Sequence, residues 1–135
     1  MKRLKRVLVV AVLAALALVA TALAGSPPVP ILTGPKPMSG AGFGQVKPRT
    51  IYLGGDPTGL VCRIHWLSWG GQLAVGDGTG WYINSHQAVS QGKPAPVVVV
   101  LYDLGTWRGR PAYKRYDWYF PGNGSGFGHV SACTA

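Results

Sequence analysis

Leu60-Val61-Cys62-Arg63-Ile64-His65-Trp66-Leu67-Ser68-Trp69, closed by Gly70-Gly71, is the stretch on which the fold turns. Read as an extended chain with a period of two, it puts Cys62, Ile64, Trp66 and Ser68 on one face and Val61, Arg63, His65, Leu67 and Trp69 on the other. Neither face is wholly polar, so the strand is expected to be central in its sheet. Gly70-Gly71 turns the chain, and residues 72–75 return as the partner of a hairpin.

Upstream, residues 49–53 are β-rich, and Gly54-Gly55-Asp56-Pro57-Thr58-Gly59 is a dense turn signal. Downstream, Gly76-Asp77-Gly78-Thr79-Gly80 predicts a break, followed by a short aromatic strand at Trp81, Tyr82 and Ile83. Residues 84–96 read as a long polar loop with one helical turn at most, near 87–89. Residues 97–104, with four consecutive valines, form the strongest strand; a run apolar on both faces needs cover on both or a deep place in a two-layer fold. Residues 105–111 read as a basic loop. Residues 112–120 alternate again, with Tyr116, Trp118 and Phe120 on one face and Tyr113, Arg115, Asp117 and Tyr119 on the other. After the turn at 121–126, residues 127–134 supply a last strand carrying Cys133. Twenty glycines and eleven prolines in 135 residues disfavour helix. The expected fold class is all-β: a small β-sandwich, immunoglobulin-like arrangements included, or a barrel of six to seven strands with one disulfide.

The N-terminus sets the compartment. Lys2, Arg3, Lys5 and Arg6 precede an apolar run from Val7 to Ala24 that ends in Ala22-Leu23-Ala24, the three parts of a secretory signal peptide. The expected organisation is a signal peptide over 1–24, a Pro/Gly-rich flexible spacer over 25–48 and an all-β domain over 49–135. The apolar run has 18 residues, at the lower limit for spanning a bilayer, so an uncleaved N-terminal anchor is the alternative. The alternative for the spacer is an arm packed on the domain through Ile31-Leu32. No cysteine follows the small-residue site, which removes the thiol that a lipoprotein anchor requires. Secretion, with association to the cell surface, is the expected localisation.

Two cysteines in an exported chain, Cys62 and Cys133, are expected to form one disulfide between an early strand and the C-terminus. Without the leader, nine Lys and Arg face Asp56, Asp77, Asp103 and Asp117, and there is no glutamate. The cations are scattered except between Arg108 and Arg115, which suits an anionic envelope and argues against nucleic acid as a partner. Two thiols and three scattered histidines, His65, His86 and His129, show no metal-ligand spacing. No cofactor is expected.

Catalytic readings find little support. Ser85, His86 and His129 are present without a nucleophile-elbow pattern. The aspartates sit beside turns or in strands, where Asp103 and Asp117 are expected to pair with Arg108, Arg110 or Arg115 rather than flank a glycosidic bond. The aromatic residues are more informative: Trp66, Tyr116, Trp118 and Phe120 are expected in the core, whereas Trp107 sits in a loop next to arginines. The candidate binding surface is therefore Trp107, Arg108, Arg110, Tyr113 and Arg115, where a flat ring and cationic forks can meet a sugar face or a protein partner.

The segment Ile51-Tyr52-Leu53-Gly54-Gly55-Asp56-Pro57-Thr58-Gly59, followed by His65-Trp66-Leu67-Ser68-Trp69-Gly70, resembles a pattern in small uncharacterised secreted proteins of high-GC Gram-positive bacteria. The resemblance covers residues 50–80, implies secretion and β structure, and carries no activity. Together these readings lead to the expectation of a non-catalytic binding or structural module. The partner would be a cell-wall polymer or another envelope protein. The alternatives are a secreted hydrolase or enzyme inhibitor and, with an uncleaved leader, a membrane-anchored accessory protein.

Overall fold

The structure, a computed structural model, describes residues 25–34, 40–125 and 130–134. The signal peptide expected at 1–24 lies outside these residues. Six strands form: β1 (Ile31–Leu32), β2 (Ile51–Tyr52), β3 (Leu60–Ser68), β4 (Ala74–Tyr82), β5 (Lys93–Trp107) and β6 (Arg110–Tyr119). They make one sheet in the order β1-β6-β5-β4-β3-β2, with β1 parallel to β6 and every other neighbour antiparallel. The fold is all-β, and of the two expected architectures the single sheet, curled into a half-barrel, is the barrel-like one. Leu32, Ile51, Val61, Ile64, Ala74, Val97, Val99, Leu101 and Tyr113 are buried inside the curl, with Phe43, Trp66, Trp69, Leu104, Tyr116, Trp118 and Phe120 packed against them.

Both edge strands turn to the same connecting segment. Leu32 donates its amide to the Gln45 carbonyl at 3.0 Å and accepts from Gly44 at 2.7 Å, while the Tyr52 amide reaches the Ala41 carbonyl at 3.1 Å. Residues 41–45 thus occupy the hydrogen-bonding groups that two open edges would expose.

Within the expected flexible spacer, residues 30–33 and 41–48 are therefore part of the fold. Pro30 and Pro48 are buried, and each offers its carbonyl to an indole: Trp69 Nε1–H to Pro30 at 3.1 Å and Trp66 Nε1–H to Pro48 at 2.8 Å. Proline has no amide to satisfy, so it buries with only its carbonyl needing a partner. Ile31 and Leu32 pair with Ala112 and Tyr113. Residues 25–29 remain exposed.

Four further expectations change. The Gly76–Gly80 stretch is not a break but the middle of β4. A Cβ at Gly76 would lie 2.9 Å from the His65 carbonyl oxygen, and one at Gly78 2.8 Å from that of Cys62. Glycine is there to admit β3, whose register slips between Cys62 and His65 and again between Trp66 and Ser68. Those slips shift the inward phase of β3, so that Val61, Ile64, Trp66 and Trp69 all reach the core. Trp66 and Trp69, expected on opposite faces, touch edge to face at 4.7 Å. The basic loop at 105–111 is instead a hairpin, with Trp107 opposite Arg110 across the two-residue turn Arg108-Gly109, both at positive φ. The last strand does not form over 130–134, which lies without regular structure.

Prolines 94 and 96 enter β5 because that end pairs only with β4; pairing to β6 begins at Val98. Cys62 and Cys133 form the expected disulfide, 71 residues apart in sequence with Cα atoms 5.7 Å apart. It holds the C-terminal segment against β3 and β4, with Cys133 Sγ 3.3 Å from the Thr79 carbonyl oxygen. Closing a loop of that length constrains the unfolded chain by about 4 kcal/mol in the chain-entropy argument. Replacing both cysteines by serine is therefore expected to lower unfolding free energy by about that amount, measured by guanidinium denaturation of both proteins under non-reducing conditions.

Candidate functional site

The candidate surface starts from a tight turn. Arg108 (φ 47°) and Gly109 (φ 75°) close the β5–β6 hairpin, which places Trp107 and Arg110 side by side at its tip. The Arg108 guanidinium carbon lies 4.6 Å from the centroid of the Trp107 ring, a cation–π contact. Trp107 is half-buried, and Arg108 and Arg110 are exposed. Among the described residues no carboxylate lies within ion-pair distance of either arginine.

The acids are engaged elsewhere. Asp103 lies 3.7 Å from Lys114 Nζ and 3.8 Å from Arg115 Nε, so of the arginines expected to pair with it only Arg115 does. Asp77 faces His65 at 3.5 Å, and Asp117 accepts from the Trp118 amide at 2.8 Å. Asp56 accepts from the Thr58 hydroxyl and from the Thr58 amide at 2.8 Å, which together hold its carboxyl below the usual range. The Gly59 amide donates to the Asp56 backbone carbonyl at 3.2 Å.

The five candidate residues do not form one surface. Trp107, Arg108 and Arg110 come together at the tip. Arg115 sits farther along β6, across from Tyr102 and turned to Asp103. Tyr113 is fully buried, a correction to its expected place on the outer face. Asp103, between the pairs Tyr102–Arg115 and Leu104–Tyr113, has φ 57°, and this interrupts the alternation of β5 and its partner strand. Tyr113 and Tyr116, three residues apart, consequently both face inward. The Tyr113 hydroxyl donates to the Gly71 carbonyl at 2.8 Å and accepts from the Gly70 amide at 2.8 Å, bolting the β3–β4 turn to β6. Its ring meets Trp69 edge-on at 5.3 Å.

Beside the tip lies a groove of about 500 Å³ whose walls include Pro28, Pro30, Lys47, Trp69, Leu104 and Pro111. It joins the exposed arm to the residue following Arg110. Composition gave no signal for it, because its walls come from five separate stretches of the chain.

The catalytic candidates gain no geometry. Ser85 and His86 are exposed in a turn, where the His86 amide donates to Asn84 Oδ1 at 2.9 Å, and His129 lies outside the described residues. Among the described residues, no three His, Cys, Asp or Glu side chains cluster to hold a metal ion. No family model matches the chain, and searches of curated proteins and of solved structures find no match either.

Burial pushes the Tyr113 phenol above the ordinary value of 10.0, partly offset by its bond from Gly70. A group raised on folding contributes stability that is full below its unfolded value and lost as pH rises through its folded one. Tyr113→Phe is expected to cost about 1 kcal/mol near neutral pH, since it removes the two hydrogen bonds that tie the exposed Gly70 and Gly71 to β6. Above pH 10 the stability gap between wild type and variant should narrow, which urea melts at stepped alkaline pH will measure.

Proposed function

We propose that this chain is a small exported domain that binds an anionic polymer of the cell envelope through the tip of its β5–β6 hairpin, without catalysing a reaction. The observation that carries the reading is the Trp107–Arg108 pair beside Arg110, with all four aspartates engaged away from it. An aromatic ring offers a flat face for a sugar ring. Guanidinium groups add forked donors that match carboxylate or phosphate oxygens. A wall glycopolymer carries both features on one chain.

Export is supported by the cationic and apolar leader and by the disulfide, a bond that persists in oxidising compartments. A net positive mature chain favours association with an anionic wall and makes that association salt-dependent. The two-residue turn favours a binding role as well: its fixed backbone presents Trp107 and Arg110 at little ordering cost.

Trp107→Ala is expected to abolish retention on purified cell wall while leaving the melting temperature within a few degrees of wild type. Arg108→Gln together with Arg110→Gln should weaken retention by about tenfold or more and flatten its dependence on salt. Co-sedimentation with wall at stepped sodium chloride measures both. Equal retention by Trp107→Ala refutes the assignment of the tip.

A further inference from the structure

A second group of cations lies at the disulfide end of β3. Arg49, Thr50, Cys62, Arg63 and Thr134 line one recess of about 200 Å³. Arg63 sits at the register slip of β3 with φ 53°, a conformation that a non-glycine residue holds only where its surroundings impose it. The imposing contacts are visible: its guanidinium donates to the carbonyls of Ser131 and Ala132, on the segment that Cys133 anchors. A guanidinium has five N–H donors, so these two bonds orient the fork and leave donors over. Arg49 is held differently. Its carbonyl accepts from the Ile64 amide at 2.9 Å, next to the buried Pro48, and its side chain is exposed.

Two arginines thus line one recess together with two hydroxyl-bearing residues. No aspartate lies within ion-pair distance of either, all four being engaged as described above. Like charges placed together favour a bound anion. Forked donors with flanking hydroxyls match the oxygens of a phosphate group.

We infer that Arg49, Arg63, Thr50 and Thr134 form an oxyanion site that takes a phosphate group, assembled by the Cys62–Cys133 disulfide. The inference stands on residues separate from the hairpin tip and does not need the tip to bind anything. The phosphate comes either as the free anion or as a phosphodiester within a polymer, and both present the same oxygens to the two arginines. The disulfide enters because it positions Thr134 and the carbonyls that orient Arg63.

The test is isothermal titration calorimetry of the oxidised full chain in mild detergent, with inorganic phosphate and with poly(glycerol phosphate) as probes and chloride at matched ionic strength as the control. Saturable binding is expected with at least one probe. Arg49→Gln, whose side chain makes no hydrogen bond among the described residues, should weaken it by about tenfold or more with an unchanged melting temperature. Arg63→Lys, which keeps the charge and loses the fork, should weaken it as well, and reduction of the disulfide should do the same. Trp107→Ala should leave phosphate binding intact even where wall retention is lost, so the two sites fail or stand separately. Similar affinity per phosphate for the two probes marks the free anion as ligand; much tighter binding of the polymer marks the phosphodiester. Absence of saturable binding to either probe, or wild-type affinity in Arg49→Gln, overturns the site. Should Arg63→Lys prove unfolded, Arg49→Gln decides alone.

Discussion

A single β-sheet has no second layer to cover its apolar face, so it buries that face only by bending around it. Everything else in this structure follows from that requirement. A flat six-stranded sheet would leave Val97, Val99 and Leu101 in water; in the curl they are almost completely buried. The bend needs places where the pleat can depart from regularity, and β3 provides two register slips. Gly76 and Gly78 lie opposite them because any side chain there would meet the advancing backbone. A curled sheet also brings its edges toward each other, and the segment at 41–45 satisfies the groups on both.

Arg63, Asp103 and Arg108 all take positive φ without being glycine, and each stands where the chain departs from regular pleating. At Arg63 the departure places a cation beside the disulfide; at Asp103 it turns Tyr113 inward and leaves the carboxylate near Lys114 and Arg115. At Arg108 it closes the hairpin and sets a guanidinium over Trp107. The irregularities that let one sheet enclose a core therefore also decide where its charges are displayed. In this chain, shaping the core and shaping the surface are one problem.

This coupling explains which parts could be read from residues alone. The β class was legible in the glycine turns and alternating runs, and the disulfide in an even pair of cysteines in a chain expected to be exported. Trp66, Tyr116, Trp118 and Phe120 were correctly placed against the core. Errors gathered where the period of two breaks. Tyr113 was assigned outward because a regular β6 puts it beside Arg115, and nothing in its own segment signals that Asp103, on the neighbouring strand, resets the phase. The Gly76–Gly80 stretch read as a break because glycine at a turn and glycine at a close approach look identical in one dimension. Pro30 and Pro48 read as spacer because their partners, the indole N–H groups of Trp69 and Trp66, lie 39 and 18 residues away. That Trp107, Arg108 and Arg110 lie together was legible because they are near-neighbours in sequence, whereas the Arg49–Arg63 recess depends on a tail placed by a bond spanning 71 residues.

Charge placement gives the molecule its direction. A chain with four aspartates and no glutamate has few internal counter-ions to distribute. One is bound up in the turn after β2 and another in its neighbour's amide, while Asp103 faces Lys114 and Arg115 and Asp77 faces His65. That leaves the arginines of the hairpin tip, and those beside the disulfide, without a carboxylate at ion-pair distance among the described residues. Exposed pairs add little to stability, so selection for folding alone has scant reason to concentrate cations away from the four aspartates. The anionic partner we propose accounts for that placement. An anionic polymer meeting both groups would gain from each phosphate or carboxylate it neutralises, and neither group would need to move to receive it, because a two-residue turn fixes one and a disulfide-anchored segment fixes the other.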